Sequence, residues 1–263
     1  MIRDAMIAIV AAGLLLCAAQ AFAGGDDGYT VTLMHFNSDL TDATGKTWTA
    51  LAGTPIATST QSKFGGGSLY LNGSSGITTA NVDAFDFGKG DWTIDWWEYP
   101  TAAYHLLFSR DSSAVSGFNM NGEYGGPGYF LIDADGIGPY VDVAVYPGEI
   151  TASDWSHMAV VRSGNTMSIY KNGIMTHAQP IFSGVYAGQD GIRIGQDRTS
   201  VYFTGYIDEL RISKGIARWT EAFTPPSAEY TEASPVVDVG PELFIAGSGR
   251  ATVKSGGMIY LKE

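Results

Sequence analysis

The side chains best placed to do chemistry lie on one short stretch, Asp91-Trp92-Thr93-Ile94-Asp95-Trp96-Trp97-Glu98-Tyr99. Hydrolysis of a glycosidic bond needs two carboxyl groups flanking the same bond, one as acid and one as nucleophile or base. Successive side chains of a β-strand point to opposite faces. Thr93, Asp95 and Trp97 therefore share one face while Glu98 points to the other, so this strand cannot present a pair. Asp95 is expected to be a hydrogen-bonding or surface group. The four histidines, His35, His105, His157 and His177, show neither H-x-H nor H-x-x-x-H spacing. His157 is expected to pack and hydrogen-bond rather than to catalyse. There is no G-x-S-x-G elbow and no P-loop, and Gly65-Gly66-Gly67 reads as a turn. These absences predict a protein that is not an enzyme. A hard cation such as Ca2+ asks for less: carbonyl oxygens at strand ends and one or two carboxylates. A sugar-binding surface asks for aromatic rings beside polar groups. Tyr104, Tyr124 and Tyr129, in or beside loops, are the candidate ligand-binding residues, with His105, Tyr140 and Tyr146 near them.

The elements that would position these groups are strands. From Ser156 to His177 the chain alternates around Met158, Val160, Met167 and Ile169, with turns at Ser163-Gly164-Asn165 and Asn172-Gly173. Asn-Gly is the strongest short hairpin signal, because both residues tolerate the positive φ of a type I′ turn. Three antiparallel strands follow, with apolar residues on both faces, as inside a two-sheet stack. Further strands are expected at 29–36, 68–71, 91–99, 106–109, 117–121, 129–133, 140–145, 192–195 and 205–213. Lys214 to Thr220 allows one helical turn. Trp92, Trp96 and Trp155 are assigned to the core. Short strands recurring with turn signals predict an all-β, antiparallel sandwich or jelly roll.

Residues 1–23 read as a cleaved secretory signal, with Arg3 before an apolar run and Ala21-Phe22-Ala23 as the cleavage site. The run is too short to span a bilayer core of about 30 Å. A secreted or periplasmic chain starting near Gly24 is expected. It retains a net charge of −12, since the signal removes one charge of each sign, Arg3 and Asp4. Cys17, the only cysteine, leaves with the signal, so no disulfide is available. Few basic residues and no basic run argue against a nucleic-acid partner. Residues 24–230 suit one large β domain. Residues 231–263 read as a linker and a short β-rich tail.

Taken in order, the motifs resemble the laminin G-like domains of the concanavalin A-like lectin/glucanase superfamily, in their bacterial and phage form. The matching residues are His35-Phe36, Phe64-Gly65 with Ser68-Leu69 and Gly73, Asp91 to Trp97, Trp155 to Gly173, and Gly205 to Arg218 with Phe223 to Pro226. The resemblance implies a concanavalin A-like jelly roll of two antiparallel sheets. Related laminarinase-type glucanases carry E-x-D-x-E on the strand that here reads Thr93-x-Asp95-x-Trp97, of which only the middle carboxylate remains. The resemblance also implies a calcium ion at the rim, held by Asp208 with Asn37 and the Gly66 region. Asn37 stands where the pattern has Asp, and Asp39 and Asp42 could compensate for the lost charge. The implied function is a secreted, non-catalytic module binding a glycan or an extracellular protein. A structural or receptor-binding component of a phage tail or surface assembly is the alternative, and glycoside hydrolysis a weaker one.

Overall fold

The computed structural model describes residues 27–262 except 81–82, 103, 107, 111–116, 122–128, 134–142, 146, 183, 185–190, 198–199, 232–241, 246–248 and 255–257. The chain divides into two compact units between Glu232 and Ala233. The first unit opens with β1 (Thr30–Met34), β2 (Trp48–Ala52), β3 (Ile56–Thr58), β4 (Ser68–Asn72) and β5 (Gly76–Thr79). One 3-10 turn, Asp83–Phe85, precedes β6 (Trp92–Pro100), β7 (Phe108–Arg110), β8 (Gly117–Asn121), β9 (Tyr129–Asp133) and β10 (Val143–Val145). The meander is β11 (Ser156–Ser163), β12 (Thr166–Lys171) and β13 (Ile174–Pro180), followed by β14 (Ile192–Ile194) and β15 (Thr204–Lys214).

These strands form two antiparallel sheets. The first is ordered β13-β12-β11-β6-β15-β4-β3, with β1 also paired to β15. The second is ordered β10-β9-β8-β7-β14-β5-β2. Their facing sides make the core, in which Met34, Leu69, Leu71, Trp92, Ile94, Trp96, Met158, Val160, Ile207 and Ile212 of the first sheet meet Trp48, Ile77, Phe108, Ile192 and Ile194 of the second. Trp96 and Phe108 cross between the layers edge to face, at 5.2 Å between centroids. The architecture is the expected all-β jelly-roll sandwich. No helix among the described residues is long and apolar enough to cross a membrane.

Local chemistry explains the hairpins. Asn172 and Gly173 both take positive φ, 51° and 77°, as a type I′ turn requires. The strands β2, β3 and β5 lie in a stretch rich in Thr, Ala and Gly with little alternation, and the sequence reading passes over them. Lys214 to Thr220 does not form a helical turn: Lys214 ends β15, and Gly215, at φ 87°, starts a strap that runs to Thr231. Trp155 is not in the core. It is half-buried just before the start of β11, against Tyr99.

One strand sets the geometry of the first sheet. β15 pairs with β6 along one side and on its other side first with β4, through Tyr206↔Tyr70 and Ile207↔Leu69, and then with β1, through Leu210↔Met34 and Ile212↔Thr32. The change of partner falls at a β-bulge between Asp208 and Arg211, where Glu209 adopts φ 50°. An extra residue in one strand re-aims the side chains around it.

The second unit is a three-stranded antiparallel sheet, β16 (Glu242–Ile245), β17 (Gly249–Lys254) and β18 (Met258–Lys262).

The strap is pinned where the meander turns. Phe223 N donates to Gly173 O, and a Cβ built on Gly173 would fall on the Phe223 carbonyl. Gly173→Ala is expected to cost about 2–4 kcal/mol, combining positive-φ strain with a backbone clash. Gly164→Ala, at φ 55° but facing open space, should cost about 1 kcal/mol. Urea unfolding of both variants checks the difference.

Candidate functional site

The outer face of the first sheet carries Thr93, Asp95, Trp97 and Tyr99 from β6, in phase with His157, Ala159 and Val161 of β11 and with Tyr206, Asp208, Arg211 and Ser213 of β15. One half of this face is sealed. Asp95 and Arg211 are opposite each other in the register, both 0% exposed, and the Arg211 guanidinium holds both carboxylate oxygens at 3.0 and 3.3 Å. Tyr230 of the strap lays its ring 3.8 Å from the guanidinium carbon, donates its hydroxyl proton to Asp95 and accepts one from Arg211. Trp219 and Phe223 stack at 4.0 Å, and both meet His157 edge to face. Burial opposes the charge on Asp95, but Arg211 and His157 outweigh it and hold the carboxyl down at about 2. His157, enclosed by rings and 3.6 Å from Asp95, has its pKa lowered, chiefly by burial. Asp95 is thus a fixed anion in a dry pocket. A catalytic carboxyl needs access to substrate, and this one has none.

Glu98 is on the opposite, core-facing side, as alternation requires. It accepts from Trp96 Nε1 and Leu106 N and is ion-paired to buried His105, whose other ring nitrogen faces Gly148 O at 3.1 Å. Both nitrogens of His105 face acceptors, so the ring is an imidazolium. Burial works against that charge, yet Glu98 raises the pKa of His105, and the same pairing lowers that of Glu98. The expected loop ligand His105 is therefore internal. Tyr104 beside it packs half-buried against the core. Tyr124 lies outside the described residues, and Tyr129 begins β9.

The residues expected to hold calcium gather where β15 changes partner. Asn37 and Gly65–Gly67 come together: a Cβ on Gly65 would collide with Asn37 Oδ1 and Glu229 Oε1, and one on Gly67 with the Asn37 backbone. Asn37 Nδ2 donates to Glu229 Oε1 at 2.6 Å. The ligand atoms of His35, Glu209 and Glu229 lie within 4.8 Å of one another. Glu209 also accepts from Tyr230 N at 2.7 Å, tying this cluster to the strap. Asp208 is buried beside it. Its Oδ2 accepts from Lys63 N and Phe64 N, while Oδ1 has no partner. Burial pushes its pKa up to about 7. Asp39 accepts from Thr41 N, and Asp42 is spent on Leu33 N, Thr44 and Trp48 Nε1, so neither joins the cluster.

The other half of the outer face is open and aromatic. Tyr70, Tyr206 and Tyr99 sit opposite one another on β4, β15 and β6, with centroids 4.9 and 5.9 Å apart, and Trp155 continues the row 5.6 Å beyond Tyr99. All four are half-buried. This row lies on strands, not in the loops where the sequence places its candidate aromatics. Tyr99 is in phase with Asp95 and so was available as a signal, but its alignment with Tyr70 and Tyr206 needs the strand register.

The His105–Glu98 pair gives a pH dependence. A raised histidine pKa contributes stability that is present below the ordinary histidine value and lost as pH rises through the raised one. Removing one partner of a buried pair costs about 3–5 kcal/mol. His105→Gln should therefore be destabilised by about that much at pH 6, with the gap to wild type narrowing as pH rises above neutrality. Chemical unfolding across pH 5–9, from about 1.5 units below to about 2.5 units above the ordinary histidine value, measures the gap.

Residues 71–221 match the model of the concanavalin A-like lectin/glucanases superfamily. No protein of curated function matches the chain in sequence. Among solved structures, domain 4 of the extracellular arabinanase AbnA from Geobacillus stearothermophilus, in complex with arabinotriose, is similar at TM-score 0.58 and 21% identity, covering 77% of this chain and 97% of that one. The binding domain of Paraclostridial Mosquitocidal Protein 1 is similar at TM-score 0.50 and 14% identity, over 72% of this chain and 50% of that one. The ligand binding domain of botulinum neurotoxin serotype D, with N-acetylneuraminic acid, gives 0.51 and 11%, over 72% and 48%. The chain thus spans about half the length of the latter two. These likenesses are of fold. With the family match covering more than half of its residues, the chain belongs to the concanavalin A-like lectin/glucanases superfamily.

Proposed function

We propose that the protein is an exported, non-catalytic carbohydrate-binding module. The observation that carries the reading is the division of one sheet face. Its two in-phase carboxylates, Asp95 and Asp208, are both 0% exposed, and Asp95 is locked to Arg211 beneath the strap. The remainder of that face is open and lined with aromatic rings. Solved neighbours of the fold include domains crystallised with arabinotriose and N-acetylneuraminic acid, which supports a sugar ligand. A calcium ion at the β15 junction is part of the proposal. Asn37 Oδ1, Glu209 and Glu229 supply oxygens there, the unpartnered Asp208 Oδ1 is the kind of buried atom a cation satisfies, and hard cations favour such a set. Its role would be to tie the strap to the sheet.

Two experiments test this. Purified protein should be retarded in gels containing soluble polysaccharide and release no reducing sugar from it; release abolished by Asp95→Asn would overturn the reading. Calcium should raise the melting temperature relative to chelator. A gain of about 2.7 kcal/mol is expected at one hundred times Kd, and it should vanish in Glu229→Gln. Export is tested by fractionating cells and sequencing the N-terminus: a mature chain beginning at Gly24 outside the cytoplasm is expected.

A further inference from the structure

The aromatic row has features that a purely structural ladder would not need. Its rings follow the strand register, one per strand, Tyr70↔Tyr206↔Tyr99, and Ile56, 49% exposed, extends the line opposite Tyr70 on β3. Neighbouring strands lie about 4.8 Å apart, so the rings recur at about the length of one sugar residue in an extended chain. The strap that covers the rest of the face, from Trp219 to Tyr230, packs on Ala159, Val161, Tyr170 and Arg211, while the rings of the row stay partly exposed. Among the described residues, the hydroxyls of Tyr70, Tyr99 and Tyr206 make no hydrogen bond to the protein.

The surroundings are polar and carry little positive charge. One strand step outward from the rings lie Asn72 and Thr204, opposite each other in the register, with exposed Thr101 joined to Thr204 through its backbone. Exposed Asp154 flanks Trp155. On the inner side Lys63 is laid over Trp97, 4.0 Å from its centroid. Stacking rings beside hydroxyl and amide groups match the two chemistries of a sugar ring, an apolar C–H face and a polar edge. A protein partner of the usual kind would meet a hydrophobic patch, rimmed outside by polar groups and often anchored by arginine. Here the polar groups run alongside every ring.

Ring orientation narrows the ligand further. Successive planes are turned by 36°, 78° and 58°. A row so twisted cannot lie flat on a crystalline polysaccharide, but can follow a single chain that turns from residue to residue. The net charge of −12 disfavours an anionic glycan. We propose that Tyr70, Tyr206, Tyr99 and Trp155 form the sugar-stacking site, and that it takes a single neutral glycan chain lying across the strands. This rests on the carbohydrate-binding reading above and assigns it a place and a ligand class.

The test titrates full-length mature protein with soluble β-glucan, xylan and arabinan oligosaccharides, with polygalacturonate, and with microcrystalline cellulose. At least one neutral oligosaccharide should bind and shift the Trp fluorescence, and the acidic and crystalline polymers should not. Tyr206→Ala should weaken that binding by about tenfold, the scale of one aromatic contact. Tyr206→Phe, which keeps the ring, should stay within about twofold. Tyr70→Ala provides a second variant at the end of the row, and circular dichroism confirms that each is folded. Unchanged neutral-glycan binding in folded Tyr206→Ala and Tyr70→Ala would overturn the site while leaving the module reading intact. Preference for polygalacturonate or cellulose would overturn the ligand class. Failure of the wild type to bind any glycan, or capture of a protein that no glycan displaces, would defeat both.

Discussion

The structure depends on keeping Asp95 and Arg211 together in a place without water. Either charge alone would be prohibitively costly there; the two become tolerable as a pair with their remaining hydrogen-bonding capacity satisfied. The pair spans the two strands, β6 and β15, that form the longest shared register of the first sheet. Tyr230 supplies the closing hydroxyl and a ring over the guanidinium, so the strap has a fixed destination. Arg218 adds a second anchor, its guanidinium reaching Asp27, Thr30 and Ser213. The Asp95 carboxylate is thus a structural anion.

This arrangement divides the labour of one surface. Half of the outer face has become a second, smaller core, in which Ala159, Val161 and Tyr170 pack under Trp219 and Phe223. The other half remains available. The boundary runs near Trp97, which touches Phe64 and His157 and receives Lys63 on its face. The bulge at Glu209 serves both halves. It lets β15 trade β4 for β1, and it turns an acidic side chain towards His35 and the strap.

The fold was legible in the sequence wherever the cause was local. Asn172-Gly173 dictates a hairpin by backbone chemistry alone, and the alternation of Met158, Val160, Met167 and Ile169 survives as the core face of β11 and β12. It was not legible where neighbours supply the reason. β2 pairs with β5 and β3 with β4, and their Thr- and Ala-rich residues become strands because those edges are offered. The junction was partly legible: Asn37 and the glycines do converge, but Glu229, 192 positions from Asn37, joins them only through the returning strap. Asp208 neighbours the junction through Glu209, and one of its oxygens caps the turn at Lys63 and Phe64. Tyr70, Tyr99 and Tyr206 come from three distant segments, and no spacing rule unites them.

The unit is stitched end to end, with β1 bound to β15 and Asp27 held by Arg218. A chain emerging from the ribosome cannot complete its principal sheet until residues beyond 204 appear, nor bury its internal charges until Tyr230 arrives. Contacts between remote parts of a chain slow its folding, and waiting strand edges are open to mispairing. The first unit therefore stays pliable until the segment from Thr204 to Tyr230 is available, and the arrival of that segment commits it to one shape.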